Sequence, residues 1–192
     1  MPIHRQFYQH FLNCTKHISL MKDSKMPKEK DPVFSSKIIY LPPLKSKKTK
    51  TLILDLDETL IHCSQDSKAP ADMKIPIQVS DEKIVEAGLY IRPHSDKFLK
   101  EMSKIYEIVI FTSSHPTYAN RVLNILDPNN EVITSRVFRE HCTATEDGIL
   151  VKDLRIFANR DLKNVVLVDN SILNYSYQLF NGIPILPFYG NK

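Results

Sequence analysis

The segment Asp55-Leu56-Asp57-Glu58-Thr59-Leu60 follows directly on the apolar run Leu52-Ile53-Leu54. Two carboxylates two residues apart, at the end of a short buried strand, project to the same side of an extended backbone and share one small volume. Such a pair suits a magnesium ion and a phosphate. A lone acidic residue after a strand is an ordinary solvated loop residue, whereas the full DLDETL string after LIL asks for more. Further along, Ile108-Val109-Ile110-Phe111 runs into Thr112-Ser113-Ser114, and Val165-Val166-Leu167-Val168 into Asp169-Asn170-Ser171. If these runs are strands of one parallel sheet, their carboxyl ends share an edge, and Asp55, Asp57, Thr112, Asp169 and Asn170 converge there. Hard oxygen ligands from Asp and Asn favour Mg²⁺ over a thiophilic metal. The chain has 4 glycines and none near residue 55, so no Gly-rich loop is available to cradle a nucleotide.

The elements that must position these residues are legible from hydrophobic pattern. Continuous β-branched and aliphatic runs read as strands buried on both faces, the mark of a parallel sheet covered by helices. Phe98, Leu99, Met102 and Ile105 repeat at helical spacing after Pro93, with Ser95 as the expected N-cap. Ala119, Val122, Ile125 and Leu126 do the same between Pro116 and Asp127-Pro128. A third, shorter helix is expected after Lys152. Met73–Val79 and Ile84–Ile91 read as a strand pair around Ser80-Asp81-Glu82, and Glu131–Thr143 as a further strand-like insertion before Asp147-Gly148. Insertions of this kind commonly supply walls for a site.

Composition narrows the class. The chain has 192 residues and 42% hydrophobic content, enough for one domain with a core and additional segments. Its net charge of +4 is uneven: residues 1–50 hold 11 Lys and Arg against 3 acidic residues, and the remainder 15 against 19. A basic segment thus precedes a mildly acidic domain, which argues against direct binding of nucleic acid by the folded surface. Met21–Lys50, interrupted by Pro27, Pro32, Pro42 and Pro43, reads as a linker, and the cluster Lys45, Lys47, Lys48, Lys50 as a solvated charge run. The expected division is a flexible basic segment over 1–36 and a catalytic domain over 37–192. Cys14, Cys63 and Cys142 are odd in number and widely separated, which fits a reducing nuclear or cytoplasmic compartment. No apolar run approaches a membrane span. The acid-free first 22 residues carry only a faint presequence character, so a mitochondrial location is the less favoured one.

The segments DLDETLIHCS, LYIRPHSDKFL, IFTSSHPTYANRVLNILDP, RVFREHC, VKDL and VDNS, in this order, resemble the small phosphatases that act on the RNA polymerase II C-terminal domain, within the haloacid dehalogenase superfamily. The resemblance spans about residues 50 to 187, and YQLFNGIPI is most similar to the C-terminal-domain-small-phosphatase-like members. It implies an α/β fold of the haloacid-dehalogenase-like Rossmannoid type, a three-layer sandwich with a parallel central sheet and small β insertions. It also implies a Mg²⁺-dependent phosphoserine/phosphothreonine protein phosphatase. By position, Asp55 would be the nucleophile forming an aspartyl-phosphate, and Asp57 the general acid and then the base. Mg²⁺ would be held by Asp55, Asn170 and the main-chain carbonyl of Asp57, with Asp169 in support. Thr59, Thr112 and Lys152 would bind the phosphoryl oxygens, and Thr59 would also brace the nucleophile loop. His62, Cys63, His115 and His141 read as structural, while Arg92 could either approach the site or form a structural salt bridge.

Four departures from the family pattern stand out, two of them bearing on the target. Members directed at the polymerase tail carry an aromatic residue near the position of Gln65, and a basic residue within the stretch that here reads Thr145-Glu146-Asp147-Gly148. Both concern recognition and set the polymerase repeat apart from other phosphoprotein substrates. Arg92-Pro93-His94 replaces the usual Arg-Pro-Gly, at little cost if the backbone φ there is negative. Relatives also continue past the GIPI segment into a closing helix, so the domain is expected to be shortened at its C-terminal end. The alternative to an enzyme is a weakly active or inactive binding module of the same fold, as in a mitochondrial import receptor.

Overall fold

The run Leu52-Ile53-Leu54 becomes the centre of the molecule because neither of its faces reaches water; each of the three residues is at most 5% exposed. The computed structural model describes residues 3–21, 25–45, 48–64, 70–80 and 83–190. The run forms β1 (Thr51–Leu54), flanked in parallel by β5 (Glu107–Phe111) on one side and β9 (Val165–Asp169) on the other. The sheet is completed by β6 (Ile133–Val137) beyond β5 and β10 (Gly182–Pro184) beyond β9, giving the order β10-β9-β1-β5-β6, all parallel. From β1 the chain builds outward to one side and later returns to build on the other. The carboxyl end of β1 is therefore a topological switch point, where open α/β sheets place their sites.

Alternate residues of each strand feed two cores. Leu52, Leu54, Ile108 and Ile110 pack with Leu99 of α3 (Ser95–Ser103) and with Ala119, Val122 and Leu123 of α4 (Pro116–Leu126). Ile53, Val109, Phe111 and Leu167 face the other way, onto Phe34, Leu154, Ile156, Phe157 and Tyr175. That second layer is built of short 3-10 turns at Leu154–Ile156, Leu162–Asn164 and Ile172–Asn181, not of long helices. The short helix expected after Lys152 is the first of these turns. Phe34 sits in α2 (Pro32–Ser35), capped by Asp31, and is 3% exposed with the Arg155 guanidinium 4.7 Å from its ring centroid. The expected boundary near Lys37 thus falls three residues after a core side chain. Residues for which no regular element was expected form α1 (Ile3–Leu20), whose Cys14 is buried in contact range of Ile172.

Antiparallel β2 (Ile61–Ser64), β4 (Lys83–Ile91) and β3 (Met73–Ser80) make a separate three-stranded sheet after the DLDETL loop, in the order β2-β4-β3. The expected strand pair is present as β3 and β4. Several sequence expectations need correction. The strand in Glu131–Thr143 is no insertion: β6 continues the parallel sheet, because Asp127 accepts the amides of Glu131, Val132 and Ile133 and turns the chain back alongside β5. In this stretch the hairpin of β7 (Thr143–Ala144) and β8 (Leu150–Val151) stands apart from the parallel sheet. Ser95 does not cap α3; its hydroxyl donates to Leu60 O at 3.1 Å, and His94 takes the cap position. The φ of His94 is +69°, so the residue replacing glycine carries the left-handed strain instead of avoiding it. Among the described residues, no helix is long and apolar enough to cross a membrane.

Candidate active site

After β1 the chain turns sharply about a single carbonyl. The amides of Thr59, Leu60 and Ile61 all donate to Leu56 O, at 3.3, 2.9 and 3.2 Å. To make this turn Glu58 adopts φ of +58°, and its carbonyl is held by Arg92 Nη2 at 2.9 Å and by the Phe188 amide at 2.8 Å. Backbone strain in a sparsely populated region persists where the surroundings over-determine it, and here two distant segments do so. Arg92 also donates to Leu186 O at 2.6 Å, so its contacts here are to main-chain carbonyls and, among the described residues, not the expected salt bridge. The turn brings Thr59 back over Asp55: its hydroxyl donates to Asp55 Oδ2 at 2.9 Å and lies 3.4 Å from Asn170 Oδ1.

Asp55 and Asp169 end adjacent strands, since the parallel register of Leu54 with Val168 carries forward by one residue. Between them lies Lys152, whose Nζ donates to Asp55 Oδ1 and Asp169 Oδ2, both at 2.6 Å, with none of its side chain exposed. Lys152 arrives from the end of β8, its amide fixed on Asn174 O. Asp169 is itself aimed by the Ser171 amide at 2.8 Å and by Asn174 Nδ2 at 2.9 Å from each oxygen. Burial pulls the Lys152 pKa down, but the attraction of Asp169 and Asp55 more than offsets it and holds the ammonium above its ordinary value. Burial, and next the charge of Asp169, push the Asp55 carboxyl up to about 7 against the opposing pull of Lys152.

Asp57 stands in a different setting. It is half-buried, and its oxygens accept from hydroxyls: Tyr118 Oη to Oδ1 at 2.6 Å and Ser114 Oγ to Oδ2 at 2.7 Å. The Ser114 amide donates to Thr112 Oγ1 at 3.0 Å, which links Asp57 to the buried Thr112 at the end of β5. Burial, and then Asp57, push the Tyr118 phenol far above its ordinary value, so it keeps its proton and donates. The same phenol contacts the Cys63 thiol.

The structure therefore brings together Asp55, Asp57, Thr59, Thr112, Lys152, Asp169 and Asn170 at one edge. His62 pairs with Glu58 at 2.9 Å, and His115 accepts from the Thr117 amide at 3.4 Å as the cap of α4; both act within the fold. Gln65 lies outside the described residues. Glu146 and Asp147 line a groove of about 950 Å³ opposite Lys25, Lys28 and Lys30 of the N-terminal segment. Sequence reasoning missed Ser114, Tyr118 and Asn174. Tyr118 carried one usable signal, its place in the first turn of a helix that begins directly after a site-bearing strand.

The donor set fits a divalent cation. Asp55 and Asn170 present carboxylate and carboxamide oxygens to the same hydroxyl, and two buried carboxylates share one ammonium, leaving net negative charge to be offset. Among the described residues no three His, Cys, Asp or Glu gather as a metal cluster. A cation here would thus rely on Asn170 and a main-chain carbonyl, as expected from the sequence, and such hard neutral oxygens suit Mg²⁺.

A family model described as NLI interacting factor-like phosphatase matches residues 50–192. The chain is 42% identical over 152 residues to the CTD small phosphatase-like protein 3 of Caenorhabditis elegans, covering 78% of this chain and 52% of that protein. It is 38% identical over 156 residues to the CTD nuclear envelope phosphatase 1 of Xenopus tropicalis, covering 77% of this chain and 63% of that one. A solved structure of a variant of the fission yeast RNA polymerase II CTD phosphatase Fcp1 bound to beryllium fluoride is similar in fold. It aligns with TM-score 0.61 and 24% identity over 72% of this chain and 42% of that one. The chain spans less than two thirds of the length of each of these proteins.

Proposed function

Because the chain belongs to the NLI interacting factor-like phosphatase family, we propose that it is a Mg²⁺-dependent phosphoserine/phosphothreonine protein phosphatase working through an aspartyl-phosphate. One observation carries the reading: two identical side chains two residues apart sit in opposite environments. Asp55 is buried against an ammonium and a hydroxyl, the setting of a nucleophile whose attacking oxygen is aimed. Asp57 is half-buried and accepts from two neutral hydroxyls, the setting of a group that gives and takes a proton.

In this reading Asp55 attacks phosphorus as the bond to the leaving oxygen breaks, and Asp57 supplies that oxygen's proton. Water then attacks the phosphorus, the bond to Asp55 breaks, and Asp57 takes the proton from the water. Lys152 and Thr112 offset the charge that builds on the phosphoryl oxygens. Asp169 fixes where the Lys152 ammonium stands. Mg²⁺, held by Asp55, Asn170 and the carbonyl of Asp57, would supply electrostatic stabilisation of the transferring phosphoryl group.

The substrate is a phosphorylated protein. The names of the relatives extend the candidates to the RNA polymerase II repeat and to a nuclear location, while the acidic Glu146-Asp147 turn speaks for a different target. An inactive binding module is disfavoured, because both aspartates and the buried lysine keep the arrangement that chemistry requires. The expected result is turnover of an aryl phosphate with Mg²⁺ that is abolished by Asp55→Asn and by chelation. Unchanged turnover in Asp55→Asn sinks the assignment. Phosphopeptide capture with an Asp57→Asn variant then reports the target.

A further inference from the structure

We propose that Tyr118 and Ser114 are positioning residues for Asp57, so that with a leaving group needing no proton their effect falls on breakdown of the aspartyl-phosphate. The inference rests on the phosphatase reading above. Both oxygens of Asp57 are occupied by hydroxyl donors, at 2.6 Å from Tyr118 and 2.7 Å from Ser114. Two donors on one carboxylate fix its rotation, with both oxygens acting as acceptors. In the first half-reaction Asp57 must instead carry a proton, so one hydroxyl has to turn from donating to accepting. In the second, water attacks phosphorus, the P–O bond to Asp55 breaks, and the water proton moves to Asp57 in the orientation the two hydroxyls already impose.

Both donors come from one rigid junction. Ser114 is pinned by its amide on Thr112 Oγ1 and by the Arg139 amide on its carbonyl at 3.2 Å, while Arg139 Nε holds Ser113 O at 2.6 Å. Tyr118 follows in the first turn of α4, whose start is set by Pro116 and by the His115 cap. The junction after β5 thus does two things. Thr112 stands by the phosphate, and the next turn holds the acid/base.

p-Nitrophenyl phosphate separates the half-reactions, because nitrophenolate leaves without a proton and formation then needs no acid. With Mg²⁺ and rapid quenching, Tyr118→Phe should lower steady-state kcat about tenfold, a part of the ~10²–10⁴ that a general base contributes. The first-turnover release of nitrophenolate should change less than about twofold, and acid-stable phosphoenzyme should accumulate. Ser114→Ala should behave alike, and it carries the test if Tyr118→Phe does not fold. Equal losses in both half-reactions, or a rise in KM alone, overturn the proposal. A wild-type protein that releases no nitrophenolate overturns the phosphatase reading itself. Active variants with kcat within twofold of the wild type overturn only the positioning role.

Discussion

The two halves of the site, one around Asp55 and the other around Asp57, solve opposite problems with the same side chain. On the β1–β9 side the central groups are charged and dry: Lys152 and Asp169 are 0% exposed and Asp55 is 4% exposed. On the β5 side the neighbours of Asp57 are neutral hydroxyls and the carboxylate is only half-buried. A buried ion pair is costly to assemble and costlier to break, whereas hydroxyls around a partly solvated carboxylate leave room for it to change protonation state. The contrast predicts that the nucleophile half is bound up with stability and the acid/base half is not.

The largest effect should come from Lys152→Met, which keeps the length of the side chain and removes the charge. Asp55 and Asp169 would then face each other in a dry site with no cation between them. Breaking a buried pair in this way costs about 3–5 kcal/mol, a large share of the stability of a domain this size. Urea unfolding at neutral pH measures it. A loss below about 1 kcal/mol would break the comparison, because the half described as bound up with the fold would then be as dispensable as the other.

The nucleophile half was also the more legible one in sequence, and the reason is physical. Asp55, Thr112 and Asp169 each end an apolar run, and runs buried on both faces announce a parallel sheet whose edge collects them. Lys152 has no such signal. It follows the two-residue strand Leu150–Val151, too short for any periodicity, and only the VKDL resemblance placed it. Ser114 was invisible because a loop serine satisfies ordinary patterns without a second role, and Tyr118 offered only its place in the first turn of the helix after β5. The strand β10 has three residues and a proline, and the α1 helix begins with no acidic first turn, so neither carried a boundary signal. The sign of φ at His94 could not be read either, because a non-glycine residue usually argues for a negative value.

A smaller effect sharpens the comparison within the nucleophile half. Thr59 is 1% exposed, and its hydroxyl is the donor to Asp55 Oδ2. Thr59→Val keeps the shape and leaves that oxygen without its partner, at a cost of about 1–3 kcal/mol in the same urea titration. The loss should be clearly smaller than for Lys152→Met, because the carboxylate keeps its ammonium. If the two variants lose equally, the turn around Leu56 and not the ion pair holds the site together.

The smallest effect on stability should come from Asp57→Asn, which also tests the contrast most directly. The amide retains one oxygen to accept a hydroxyl, and the hydroxyl opposite its NH₂ can rotate to accept in turn, so both contacts survive the substitution. With the side chain half in water, the cost should stay under about 1 kcal/mol. Turnover should nevertheless fall about 10²–10⁴-fold, since an amide neither gives nor takes the proton. Unfolding and kinetics measured on one preparation separate the two quantities. A variant that loses stability along with activity would put Asp57 in the same class as Asp55, and the division of the site into a fixed charged half and an adjustable hydroxyl half would no longer hold.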